Sequence, residues 1–149
     1  DLVHMAYNIR PYELHGSGRT MEALAEKTRT DETVRVALKA FNNIANEWQL
    51  SLSEAAALAD MSESTWKRAR KPGYAGTLTK DQMLRLSALV GIYKALKLYF
   101  SPPIDTGWMR LPNQGPLFQG KRPVDTLIEN GLPHFLHVRN YLDALRGGA

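Results

Sequence analysis

Residues 50–71 read Leu50-Ser51-Leu52-Ser53-Glu54-Ala55-Ala56-Ala57-Leu58-Ala59-Asp60, then Met61-Ser62-Glu63-Ser64-Thr65-Trp66-Lys67-Arg68-Ala69-Arg70-Lys71. Ser51 and Glu54 stand as Ser-x-x-Glu, a capping box in which each side chain satisfies a free backbone N–H at a helix start. A helix over 52–59 is therefore predicted. If Asp60 occupies the turn that follows, Ala56 lies four residues before it, where a small side chain lets two helices approach closely. Met61 follows the turn, and Trp66 and Ala69 fall three apart on the inner face of the next helix. Those are the apolar slots of a helix-turn-helix, and they make Trp66 a core residue rather than a base-stacking one.

The same assignment turns Ser62, Glu63, Ser64, Lys67, Arg68 and Lys71 outward, with Arg70 at the helix end. Lys67, Arg68, Arg70 and Lys71 can pair with phosphates, and Ser62 and Ser64 near the helix start can reach phosphate or base edges. These six residues are the candidate DNA contacts. Two features depart from the pattern. The turn carries Asp60 rather than Gly, at some cost in backbone freedom, and Glu63 places a negative charge among the would-be contacts.

Upstream, Val34, Ala37, Leu38, Phe41, Ile44, Ala45 and Trp48 recur at spacings of three and four, which predicts an amphipathic helix over Asp31–Gln49. A separate short helix is expected from Thr20 to Thr30, capped by Thr20. Residues 1–19 read as an arm, extended or partly disordered. Downstream, Pro72-Gly73-Tyr74-Ala75-Gly76 ends the third helix and offers a link. The expected organisation is an arm over 1–19, a helix-turn-helix domain over 20–76 and a helical domain over 77–149.

That second domain opens on Thr79-x-x-Gln82, another capping box, leading a helix to about Phe100. Met83, Leu86, Leu89, Val90, Tyr93, Leu96 and Phe100 form its stripe, and Leu84, Ala88, Ala95, Leu98 and Tyr99 widen it. Such a helix needs cover on much of its circumference, by the C-terminal segments and by a second subunit. Pro102-Pro103 stops it, and the Pro- and Gly-rich stretch from 107 to 123, with Trp108 and Phe118, reads as an ordered, rigid connector. Pro123 to Asn130 reads as a helix ended by Gly131, with Asp125 in its first turn. Phe135, Val138, Tyr141, Leu142 and Leu145 make a last helix from Pro133 onward, before a flexible tail at Gly147-Gly148-Ala149.

The second half also carries the pattern Trp108-x-x-Leu111-Pro112-Asn113, then Phe118-x-Gly120-Lys121-x-Pro123-x-Asp125-x-Leu127, Gly131, and Tyr141-Leu142-x-x-Leu145. This pattern resembles the toxin-binding domain of the Xre/MbcA/ParS antitoxins, and the helix from Thr79 fits the same family. The resemblance implies an all-α protein in which an Xre-like helix-turn-helix domain precedes a small helical toxin-binding domain. It implies a type II antitoxin whose partner is a RES-domain toxin, an NAD-consuming fold, and whose C-terminal region occludes the NAD site. It further implies a homodimer that binds operator DNA and represses its own operon. The residues proposed to touch the toxin are Asn113, Lys121, Arg122, Asp125, Tyr141, Leu145, Arg146, Gly147, Gly148 and Ala149. Of the motif residues, Trp108, Phe118, Leu127 and Leu142 are expected to pack the domain. A tail from Leu145 to Ala149 is narrow enough to enter a cleft, and its glycines permit close backbone approach.

Other function classes find less in the chain. No cysteine is present among the 149 residues, which excludes a disulfide framework, a thiolate nucleophile and a Cys-ligated metal. His134 and His137 stand three apart without a third ligand in reach by sequence, so neither a metal nor a general base is expected. There is no phosphate-binding glycine loop and no nucleophile elbow, so no enzyme and no cofactor are expected. With 44% hydrophobic and 23% charged residues the chain reads as a globular protein, and no apolar run approaches the length of a membrane span. A cytoplasmic location is the expectation. The formal charge of +4 permits nucleic-acid binding without demanding it. A plain transcriptional regulator, using only the helix-turn-helix and lacking any toxin-neutralising activity, is the alternative, and a structural adaptor is a further one.

Overall fold

The computed structural model describes residues 18–148. Seven α-helices and one 3-10 turn make up the described residues, with no strand among them. Helix α1 spans Gly18–Glu47, α2 Leu52–Leu58, α3 Glu63–Ala69 and α4 Lys80–Tyr99. The single turn α5, Ile104–Gly107, runs into a 3-10 turn at Trp108–Arg110. Helices α6, Pro123–Asn130, and α7, Leu132–Gly148, complete the chain. This is the all-α architecture read from the spacing. The arm expected at the N-terminus falls at residues 1–17 outside the described part, and Gly18 and Arg19 already belong to α1.

Helix α1 is one helix where two were expected, and Thr20 lies inside it rather than capping it. From Arg19 to Glu47 the chain has neither Pro nor Gly to break it. Thr28, Thr30 and Thr33 donate their hydroxyls to the carbonyls of Leu24, Glu26 and Arg29 at 2.9, 3.0 and 2.8 Å. Polar side chains that favour turns are thus satisfied within the helix. The helix stops at Glu47 instead of Gln49, because Gln49 takes the left-handed conformation at φ +54.

Both capping boxes form. Ser51 Oγ accepts from Glu54 N at 3.0 Å while Glu54 Oε1 accepts from Ser51 N at 2.9 Å. Thr79 Oγ1 and Gln82 Oε1 repeat this exchange at 3.0 and 2.9 Å. Gln82 also donates its amide Nε2 to the carbonyl of Asp60 at 2.9 Å, which ties the start of α4 to the turn between α2 and α3.

One apolar core runs through the molecule. Phe41 of α1 meets Trp66 of α3 with ring centroids 5.1 Å apart, and Trp48 meets Tyr93 of α4 at 6.3 Å. Trp66 is 1% exposed, and Ala56 and Ala69 are buried in the expected slots. Helix α4 lies between α1 and α7, with α7 its more extensive partner. Leu86, Leu89, Ile92 and Leu96 are fully buried there, and each such side chain contributes about 1.5–3 kcal/mol on leaving water. A second aromatic layer covers the C-terminal end, where Phe118 packs edge-on to Trp108 at 5.3 Å and to Tyr141 at 6.0 Å.

Between Pro103 and Trp108, where the sequence pattern names no element, α5 forms: Asp105 is 4% exposed and pairs with Lys97 of α4 at 3.2 Å. That pair fastens the short helix to the long one. The final glycines, expected as a flexible tail, continue α7 through Gly148. Glycine costs about 1 kcal/mol relative to alanine in a helix interior, but nothing in these last residues clashes with helical geometry. Only Ala149 lies beyond the described helix.

Candidate functional site

Helices α2 and α3 form the first candidate surface. Asp60 supplies the turn between them with φ +56, a left-handed conformation that Asp reaches more readily than most residues. Ser62 is the N-cap of α3: its Oγ accepts from Thr65 N at 3.1 Å and donates to Thr65 Oγ1 at 2.9 Å. Its hydroxyl is thus committed to holding the helix start. Ser64, Lys67 and Arg68 are exposed on α3, and Arg70 and Lys71 are exposed just past its end. All six sequence-derived candidates are therefore exposed on α3 or at its ends, with Glu63 exposed among them.

A feature missed by the motif reading adjoins it. Arg35, Leu38, Lys39, Asn42 and Asn43 of α1 face Ala69, Arg70, Lys71, Pro72, Gly73 and Tyr74 across a groove of about 410 Å³. The α1 residues recur at i, i+3, i+4, i+7 and i+8, which is one helix face. The spacing was visible, but Arg35 and Lys39 look like ordinary solvated positions beside the apolar stripe. None of Arg35, Lys39, Lys67, Arg68, Arg70 and Lys71 pairs with a carboxylate among the described residues.

The second candidate surface is built on the loop 113–121. Asn113 N donates to Lys121 O at 3.1 Å, and Gly120 N donates to Asn113 O at 2.8 Å, closing the loop at its base. Asn113 Oδ1 accepts from Gly115 N at 2.8 Å. Gly120 takes φ +82 beside Gln119 at φ +51, a reversal for which glycine carries no steric penalty. Phe118 at the loop's tip is buried against Trp108, Tyr141 and His134. His134 meets Thr126 Oγ1 at 2.9 Å, and Thr126 in turn donates to Pro123 O at 2.8 Å. Burial, with His137 nearby, pushes the His134 imidazole below its ordinary pKa. No group of three or more metal-ligating side chains occurs among the described residues.

Charge is organised around Glu54. Its carboxylate receives Arg110 at 2.9 Å and Arg122 at 3.3 Å, and Arg122 forks onto Asp125 with two contacts of 2.8 Å. Burial alone pushes the Glu54 carboxyl up; the Ser51 N–H, the Arg110 guanidinium and the Ser51 hydroxyl outweigh it and hold the group below its usual value. Arg122 likewise holds the Asp125 carboxyl down. The capping residue of α2 is therefore also the anchor of two arginines from the C-terminal half.

Of the residues proposed for toxin contact, Lys121, Arg122 and Asp125 come together near the start of α6, and Lys121 reaches along the helix to pair with Glu129 in its last turn at 2.9 Å. Asn113 Oδ1 and the Tyr141 hydroxyl both close in on Gly115, which leaves no room for a side chain there. Leu145 packs partly against the core one turn beyond Tyr141, and Gly147 is exposed. The side chain of Arg146 and all of Ala149 lie outside the described part, as does any detail of Gly148 beyond its place in α7.

Comparison with known proteins bears on both surfaces. A family model for the antitoxin Xre-like helix-turn-helix domain matches residues 32–91. A second, for the antitoxin Xre/MbcA/ParS C-terminal toxin-binding domain, matches residues 98–148. The first match ends inside α4 and the second begins there, so the helix packed against both α1 and α7 is common to the two. The chain is also similar to uncharacterized protein y4oB of Sinorhizobium fredii (strain NBRC 101917 / NGR234). The two are 37% identical over 113 residues, covering 74% of this chain and 84% of the relative. No solved structure matches the chain. No helix among the described residues is long and apolar enough to cross a membrane. With a helix-turn-helix at one end and a toxin-binding domain at the other, the chain belongs to the Xre family of type II antitoxins, whose domains bind rather than catalyse.

Proposed function

We propose that the partner is a RES-domain toxin, that the C-terminal region of the chain occludes its NAD site, and that a homodimer represses its own operon in the cytoplasm. The observation that carries the DNA part is the exposed group Ser64, Lys67, Arg68, Arg70 and Lys71, whose cations have no carboxylate partner among the described residues. Ser62 acts there as the cap that orients α3. The RES identity rests on the resemblance of the pattern from Trp108 to Leu145. In this reading the inserted element is the last turn of α7, so a helix end carrying Leu145, Arg146, Gly147 and Gly148, with Ala149, approaches the toxin. Lys121, Arg122 and Asp125 contact it beside that end, while Asn113 and Tyr141 hold the loop and α7 in register. The exposed Leu98, Tyr99 and Ile104, at 68%, 42% and 41%, support a second copy packing at the end of α4.

The division of labour falls in the link 72–76, with residues 20–76 serving DNA and 77–149 the toxin. It is a division of binding roles, since α4 also packs on α1. Co-expression with the neighbouring open reading frame, followed by size-exclusion chromatography and an NAD-depletion assay, tests the whole reading. A stable complex that spares NAD, beside a free partner that consumes it, is the expected outcome. Promoter binding without any complex would instead leave a plain transcriptional regulator. Deleting Arg146–Ala149 should weaken neutralisation about tenfold, roughly 1.4 kcal/mol, while the melting temperature holds. Full neutralisation by the truncated chain would move the contact away from the end of α7.

A further inference from the structure

We infer that the groove between α1 and residues 69–74 is a second phosphate-contact surface, which takes one strand of the duplex beside the strand region met by α3. The inference rests on the DNA-binding reading above and names contacts that no helix-turn-helix motif assigns. Arg35 and Lys39 project from α1, and Arg70 and Lys71 face them from the end of α3. Asn42 and Asn43 add neutral amide donors, and no Asp or Glu among the described residues lines the groove. Its floor is apolar, from Leu38, Ala69, Pro72 and Tyr74.

The charge balance of the chain points the same way. Segments 33–46 and 64–79 contain Arg35, Lys39, Lys67, Arg68, Arg70 and Lys71 and no acidic residue. These six positive charges exceed the formal net charge of the whole chain, +4, so everything else sums to −2. These two segments, bordered by Glu63 at the start of α3, therefore carry more positive charge than the chain's net excess. A cationic concavity of this kind concentrates a polyanion, and the phosphodiester backbone is the ligand whose charges repeat along a strand long enough to engage both elements. Arg and Asn donors along a groove suit phosphate and sugar oxygens, contacts that set orientation without reading sequence.

The test uses the full chain and a fluorescent duplex from the promoter upstream of its own gene, titrated at several salt concentrations. The double variant Arg35→Gln/Lys39→Gln should bind about tenfold more weakly. Its plot of log affinity against log salt should flatten by about 1.8, since each neutralised phosphate contributes about 0.9 to that slope. Arg35→Lys/Lys39→Arg should restore both, and thermal melting should be unchanged in either variant. Unchanged affinity and slope in the Gln variant, with Lys67→Gln/Arg68→Gln impaired, would overturn the groove and leave α3 as the contact. A loss of toxin capture with DNA binding intact would also overturn it, by giving the groove to a protein. Wild-type protein that binds no duplex would sink the DNA reading and this inference together.

Discussion

The two halves of the molecule use the same residue types in opposite ways. Between residues 78 and 145, Arg85, Lys97, Arg110, Lys121, Arg122 and Arg139 sit in ion pairs and, among the described residues, only Lys80 and Lys94 do not. Between residues 33 and 77, none of Arg35, Lys39, Lys67, Arg68, Arg70 and Lys71 does so among the described residues. In the first set some of the cations join elements, as Arg110 and Arg122 join the 3-10 turn and the start of α6 to Glu54 of α2, while Arg85 and Arg139 pair within their own helices. In the second set the charges repel one another with nothing to gain from the fold. Leaving such exposed charges unpaired costs the fold little, since surface ion pairs are worth about 0–1 kcal/mol.

The contrast breaks first if the apolar layers are the true source of stability on both sides. Phe118→Ala removes a fully buried ring from between Trp108 and Tyr141 and should cost about 3–5 kcal/mol in a denaturant melt. A loss under about 1 kcal/mol would mean that the layer collapses to refill the space.

Glu54→Gln sharpens the comparison, because Gln at this position can still complete the capping box while removing the charge that Arg110 and Arg122 share. The expected cost is about 1 kcal/mol, discounted for the part-exposed arginines and shrinking as salt is added. The pH dependence has a definite sign. Glu54 and Asp125 have folded pKa values below their ordinary ones, so their contribution is complete above the usual carboxylate range. It is lost as pH falls through that range and through the depressed folded values. The acid limb of a stability–pH curve should therefore flatten in the Gln variant. An acid limb identical to wild type would show that Glu54 is not part of it.

The smallest effect belongs to the free cations. Lys67→Gln/Arg68→Gln/Lys71→Gln should leave stability within about 0.5 kcal/mol of wild type, with DNA affinity lost and its salt slope flattened. A large destabilisation would remove the distinction between held and structural charge.

What the sequence made readable was local chemistry. The two capping boxes, the slots at Ala56, Trp66 and Ala69, and the α6 helix with its Gly131 stop all depend on residues within a turn or two of each other. Helix propensity alone misled at both ends. The threonine-rich stretch of α1 looked like a boundary because threonine offers backbone alternatives, yet its hydroxyls bond inward. Gly147 and Gly148 looked like a tail because glycine disfavours helix, a weak preference that the helix overrides. The charge network was out of reach for another reason. Glu54 meets Arg110 and Arg122 across separations of 56 and 68 residues, and no periodicity reports which distant side chain will arrive. The groove of Arg35 and Lys39 was hidden in the same way, since its other wall comes from residues 69–74.

The position of α4 has a consequence for how the protein is made. Trp48 finds Tyr93, and the turn at Asp60 finds Gln82, only on residues that leave the ribosome well after the helix-turn-helix itself. A nascent chain that ends near Gly76 has translated every candidate DNA contact, yet it lacks the helix that closes the core beneath them. The order of synthesis thus ties the two halves together: the core of the helix-turn-helix closes only after the element that also seats α7 has emerged.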